Sequence, residues 1–277
     1  MLNTPITLTI AGSDSGGGAG IQADIKAISA TGGYACSVIT ALTAQNTQGV
    51  SGVYPVSPDF VCQQLDAVFS DLDVRAVKIG MLVDSEIISA VAHKLRQYKP
   101  SWVVLDPVMV ATSGDLLLQT SAIDTLRREL LPLANIITPN LPEAAQLLDV
   151  PEVTDQAGIS AMLDACQTLL TQISPQVSSQ SLLLKGGHLH QQPMSQDWLV
   201  TSAGIELLQA PRVPTRNTHG TGCTLSAAIA SYLAQGMSVS QAVTKAKHYL
   251  TEALKYADKW QIGSGHGPVD HFFSLHN

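Results

Sequence analysis

The chain has 277 residues, with 15 Lys plus Arg against 22 Asp plus Glu, and its formal net charge of −7 excludes a nucleic-acid binder held by bulk positive charge. Apolar residues make up 45% and charged residues 13%, about half the ~25% usual in soluble domains, which argues against disorder. No apolar run approaches the ~18 residues of a membrane span, and the stretch MLNTPITLTIAGS has no basic segment ahead of its apolar part, so a cytoplasmic protein without membrane contact is expected.

Short apolar runs alternate with segments of helical period, the pattern of a parallel sheet with helices packed on its faces. In chain order the pattern predicts strand Ile6 to Ala11, helix Gly20 to Ala30, strand Ala35 to Thr40, helix Pro58 to Phe69, strand Ala76 to Ile79 and helix Ser85 to Gln97. It continues with strand Trp102 to Leu105, helix Ser121 to Leu131, strand Asn135 to Thr138, helices Leu141 to Leu148 and Gly158 to Leu170, and strand Ser181 to Leu184. Asp197 to Arg212 reads as two antiparallel edge strands around Ser202-Ala203-Gly204, and two helices close the chain. No repeat, low-complexity tract or linker divides the series, so one domain over residues 1–277 is expected.

The first strand runs into Gly12-Ser13-Asp14-Ser15-Gly16-Gly17-Gly18-Ala19-Gly20, where glycines let the backbone approach a ligand at the carboxyl edge of the sheet, or simply make a tight turn. No Lys follows the last glycine and Ile21 breaks the GxGxxG register, so neither standard phosphate motif is written. On the next helix Asp24 borders the stripe Ile21, Ile25 and Ile28, where a carboxylate needs polar partners or a bound group. Further on, Asn217-Thr218-His219-Gly220-Thr221-Gly222-Cys223 precedes a helix of small residues, whose unsatisfied N–H groups and dipole suit a phosphate under transfer. The same dipole would pull the Cys223 thiol below the ~8.5 of free cysteine, unless the residue is simply packed.

Lys185, at the end of an apolar strand, can reach a polyphosphate. Asn140 and Glu143, three apart at a helix start, either share a phosphate-bound Mg²⁺ through its water shell or cap the helix. Other chemistries find no support: Cys36, Cys62, Cys166 and Cys223 form no CxxC, His188 and His190 form no HExxH, and GxSxG is absent.

These segments, in this order, resemble the hydroxymethylpyrimidine/phosphomethylpyrimidine kinases of thiamine biosynthesis, a branch of the ribokinase-like superfamily. The resemblance rests on AGSDSGGGAGIQADIKA, SVITALTAQNTQGV, VKIGML, VVLDPVM with a following SGD, ITPNLPEA, LLKGGH, NTHGTGCTLSAAIA and GHGPVDHFF, and spans Ile6 to Phe273. It implies a three-layer α/β/α ribokinase-like fold with a central, mainly parallel sheet flanked by helices, ATP and Mg²⁺ as cofactors, and a homodimer. It also implies site residues. Gln45 resembles the amide that hydrogen-bonds the aminopyrimidine, with Gly12, Asp24, Met81 and Val108 lining the rest of that pocket. Asp106, Asn140 and Thr218 would lie on the ATP side, with Glu143 and Asn140 toward the metal. Lys185 would face the phosphates, and Gly220, Thr221, Gly222 and Cys223 the γ-phosphoryl in flight. Most of the superfamily carries Asp where this chain has Cys223; cysteine at that position is characteristic of the pyrimidine kinases and of some related kinases that also accept pyridoxal, and it leaves the base open. The same segments suit a pyridoxal kinase of that superfamily; a non-catalytic pyrimidine-binding module would not need the phosphoryl-transfer residues. Gly16 to Gly20 and the stretch around Ser113 and Gly114 are expected to be mobile.

Overall fold

Alternation along the first strand sets the layers. In the computed structural model, which describes residues 4–109, 117–173, 177, 179–187, 189 and 192–276, β1 (Ile6–Asp14) sends Leu8 and Ile10 into one core and Thr9 to the opposite face. Ser113, Gly114, Asp115, His188 and His190 lie outside the described residues.

The further strands are β2 (Tyr34–Asn46), β3 (Gly49–Pro55), β4 (Val74–Ile79), β5 (Trp102–Leu105), β6 (Ile136–Ile137), β7 (Ser181–Lys185), β8 (Met194–Thr201) and β9 (Gly204–Pro211). They form a nine-stranded sheet in the order β3-β2-β1-β4-β5-β6-β7-β8-β9, parallel from β2 to β7 and antiparallel at β3, β8 and β9. The helices are α1 (Gly20–Ala30), α2 (Pro58–Phe69), α3 (Ser85–Tyr98), the single turn α4 (Ile123–Thr125), α5 (Leu141–Leu148), α6 (Ile159–Gln172), α7 (Thr221–Ala234) and α8 (Val239–Tyr256). One core, with Leu8, Ile79 and Leu105, takes α2, α3, α5 and α6; the other, with Ala76, Val104 and Leu183, takes α1, α7 and α8. The expected three-layer arrangement is therefore present. No described helix is long and apolar enough to cross a membrane.

Strand order reverses at β1, with β2 on one side and β4 on the other, and it is at such switch points that the carboxyl edge of an open sheet forms a crevice. Helix α7 covers that point. Its Ala227, Ala228, Ala230 and Ser231 are all buried, because small side chains let a helix lie close to the sheet.

Two elements depart from the sequence expectation. β2 runs on to Asn46 and turns into β3, a strand the pattern does not predict, because it lies at the sheet edge and Tyr54 is 72% exposed. The expected helix Ser121 to Leu131 is instead a chain of turns, 3-10 at Thr120–Ala122, π at Leu126–Leu130 and 3-10 at Leu131–Leu133. Pro132 supplies no N–H and crowds the carbonyl four residues back, so a regular α-helix cannot reach it.

Candidate active site

The glycine-rich turn after β1 is organised by its own aspartate. Asp14 Oδ1 accepts from Gly16 N at 2.8 Å, and Oδ2 accepts from Gly18 N at 3.0 Å and Ala19 N at 2.8 Å. His219 Nε2 lies 2.8 Å from the same Oδ2. Burial works to raise the Asp14 carboxyl, but the His219 contact and the amides outweigh it and hold the pKa below the usual carboxylate range. Three amides that the sequence offers to a ligand are thus spent on Asp14. Against this turn packs Gly220, the N-cap of α7, with φ of 78°; a Cβ there would sit 1.9 Å from Gly18 O, so only glycine fits.

Beneath the first turn of α7 lies a set of charges, of which Lys185 and Asp106 continue the face of the sheet that carries Leu183 and Val104. Lys185 Nζ donates to Asp106 Oδ1 at 2.8 Å and lies 3.9 Å from Glu143 Oε2. Asp106 also accepts from Thr138 Oγ1 at 3.0 Å and Ser226 Oγ at 3.2 Å. A Cβ on Gly222 would stand 3.4 Å from Lys185 Nζ, so the missing side chain leaves the ammonium a line of approach to the turn. Burial disfavours every one of these charges, and their neighbours decide the outcome. Lys185 and Lys78 pull the Asp106 carboxyl down, Asp106 and Glu143 hold the Lys185 ammonium up, and Glu143, less well paired, is pushed up to about 7.

A cavity of about 1750 Å³ runs along this edge. Gly12, Gln45, Met81 and Val108 line it, as the family resemblance implies for the acceptor pocket. So do Gly220, Thr221, Gly222 and Cys223, with Thr218 beside them, and the group Asp106, Asn140, Glu143 and Lys185.

Two expectations need correction. Asp24 does not line the cavity: it is fully buried behind it, where Oδ2 accepts from Lys78 Nζ at 2.8 Å and Thr9 Oγ1 at 2.5 Å. Of the alternatives for Asn140 and Glu143, the capping box is present: Asn140 Oδ1 accepts from Glu143 N at 2.8 Å while Glu143 Oε2 accepts from Asn140 N at 2.8 Å, and both residues still line the cavity. Finally, the Cys223 thiol is not acidified. Burial pushes it up to about 11, and the nearby Asp24 and Asp106 add to this against the pull of Lys78.

Residues without a part in the sequence reading also meet here. Lys78 lies in the cavity floor, fully buried; burial opposes its charge, but Asp24 and Asp106 hold the ammonium protonated. Its signal was a lysine inside the apolar run Val77-Lys78-Ile79. His219 stands within the turn sequence but bonds Asp14, which nothing local announces. Lys247 Nζ reaches Asp197 Oδ2 at 2.6 Å, tying α8 to β8, and Asp197 Oδ1 accepts from Gly186 N at 3.0 Å.

The model of the family phosphomethylpyrimidine kinase matches residues 14–270. The hydroxymethylpyrimidine/phosphomethylpyrimidine kinase of Escherichia coli (strain K12) is 52% identical over 265 residues, covering 96% of each chain. Among solved structures, a phosphomethylpyrimidine kinase of Clostridium difficile 630 matches at 44% identity and a TM-score of 0.77, over 90% of this chain and 99% of that one. A Bacillus subtilis pyridoxal kinase, in an ADP complex, matches at 33% identity and a TM-score of 0.87, over 98% and 99%. On a match spanning nearly its full length, the chain belongs to the phosphomethylpyrimidine kinase family.

Proposed function

We propose that the enzyme transfers the γ-phosphoryl of ATP to the hydroxymethyl group of 4-amino-5-hydroxymethyl-2-methylpyrimidine, and then phosphorylates the monophosphate to the pyrophosphate, as a cytoplasmic homodimer serving thiamine biosynthesis. The observation that carries this reading is the meeting, in one cavity, of the Gly220 to Cys223 turn, the Lys185 and Asp106 pair, and the Gln45 amide. Phosphoryl transfer needs alignment and charge neutralisation more than covalent help. The α7 amides and Lys185 offer both, and Gln45 offers a donor and an acceptor to a flat ring. Leu42 and Tyr54, cross-strand partners that are 48% and 72% exposed, give the dimer an apolar face to cover.

Glu143 fits a divalent cation: it is a buried carboxylate whose nearest cation, Lys185 Nζ at 3.9 Å, is bonded to Asp106 at 2.8 Å, and a cation beside it would restore its ionised form. Among the described residues no cluster of three or more His, Cys, Asp or Glu forms a cage. That suits Mg²⁺ brought in on the nucleotide and bound through one or two carboxylates. When bound, Mg²⁺ would neutralise phosphate charge; Glu143, with Asp106 behind it, would orient it, and Lys185 would stay aimed at the transferred group.

Pyridoxal is the second acceptor to consider, given the likeness to the pyridoxal kinase. Identity of 52% to a pyrimidine kinase against 33% to that one favours the pyrimidine. ADP release measured with the pyrimidine, its monophosphate, pyridoxal and ribose offered in turn tests the choice; turnover of pyridoxal alone would overturn it. Gln45→Ala is expected to raise the KM for the pyrimidine by about 5- to 150-fold, equivalent to ~1–3 kcal/mol, with the KM for ATP unchanged. An unchanged pyrimidine KM would remove Gln45 from the pocket.

Pushed up to about 11, the thiol is protonated at neutral pH, which argues against its service as a general base. Cys223→Ala should therefore keep kcat within about fivefold, as a small residue losing only packing. A fall beyond about 100-fold would restore the thiol as the base.

A further inference from the structure

Hydrogen counting around Gln45 fixes its side-chain amide. His219 Nε2 is 2.8 Å from Asp14 Oδ2 and 3.4 Å from Gln45 Nε2. Asp14 is a carboxylate that already accepts from three backbone amides, so it only accepts, and His219 bonds it by carrying a proton on Nε2. An amide NH₂ turned toward that N–H sets donor against donor. The far end is short of a donor: Thr43 Oγ1 lies 2.9 Å from Ser13 O and 3.0 Å from Gln45 Oε1, so its single proton is divided between two carbonyl oxygens. Turning the carboxamide end for end resolves both without moving a neighbour. Oε1 then accepts from His219, which shares its N–H with Asp14, while Nε2 donates to Thr43 Oγ1 and the Thr43 proton goes to Ser13 O.

We propose that His219 is a positioning residue that, with Thr43, locks the Gln45 carboxamide in this orientation and so decides which way round the acceptor ring is held. The proposal rests on the aminopyrimidine reading above. One N–H on Nε2 and one lone pair on Oε1 are left for a ligand, on a side chain that lines the cavity. A 4-aminopyrimidine answers them with its ring-nitrogen acceptor and exocyclic N–H donor. The 4-oxo analogue presents the reverse pair, a carbonyl acceptor at C4 and an N–H in the ring. It can satisfy the locked amide only by turning over, which carries the hydroxymethyl group away from the α7 turn.

The test is the ratio of kcat/KM for the 4-amino substrate to that for its 4-oxo analogue. The unaltered enzyme should favour the amino compound by roughly 100-fold or more. His219→Phe keeps the ring volume but lets the amide turn, and should cut the ratio at least tenfold. His219→Gln, which replaces the N–H, should hold it within about threefold. A role confined to bracing the glycine turn would lower both rates together and leave the ratio alone. Thr43→Val releases the other end of the amide and should also cut the ratio, which decides the matter if His219→Phe does not fold. Amino turnover by the unaltered enzyme with an unchanged ratio in the variants would overturn the role of His219 alone. No amino turnover at all would overturn the acceptor assignment and this proposal with it.

Discussion

Replacing Lys185 with methionine is expected to lower kcat by about 10² to 10³ while the KM for the pyrimidine stays within about threefold. The ammonium lies behind Gly222, where an added Cβ would be 3.4 Å away, so it faces the turn that would hold the migrating phosphoryl. Charge at that point matters most when negative charge is spread over the phosphoryl oxygens, which places the loss in kcat. The variant will also lose stability, because Asp106, with a side chain 2% exposed, loses its 2.8 Å partner. Lys185→Met with Asp106→Asn separates the two effects. It should recover much of the melting temperature and none of the rate. A fall in kcat below about fivefold in the single variant would take Lys185 off the phosphoryl path.

The layer order and most helices were legible because they depend on local period: alternation in β1 and the small-residue face of α7 each report a burial that neighbours in sequence share. That the turn at Gly220, Lys185 at the end of β7 and Gln45 would line one cavity was legible from the order of the motifs. What stayed hidden depends on register between distant strands. Thr9 and Lys78 are paired Cα partners across β1 and β4, and both reach Asp24 from there. Asp24 and Lys78 are 54 residues apart, and His219 and Asp14 205 apart, so no spacing rule links them. Asp24 on a helix edge looks the same in sequence whether it faces a ligand or a buried ammonium. Cys223 misled for a related reason: the helix dipole is a local signal, whereas the carboxylates and burial that outweigh it come from other elements.

The Lys78 and Asp24 pair carries the largest expected effect on stability. Both side chains are 0% exposed and 2.8 Å apart, so neither charge has water to fall back on. Lys78→Met leaves Asp24 with Thr9 Oγ1 alone against its Oδ2 and no hydrogen-bond partner on Oδ1, and should destabilise the fold by about 3–5 kcal/mol. For a domain of this size that is a fall in Tm of roughly 6–20 °C. Adding Asp24→Val removes the stranded carboxylate as well, and apolar replacement of a buried pair is often neutral, so the double variant should recover most of the loss. Its kcat should stay low, since the ammonium that goes missing lies in the cavity floor beside the transfer turn. Thermal melts and initial rates on the three proteins distinguish the cases. A single variant that melts within about 2 °C of the parent would mean the pair is not closed off from water. A double variant with both Tm and rate restored would mean that Lys78 serves the fold and has no part in the reaction.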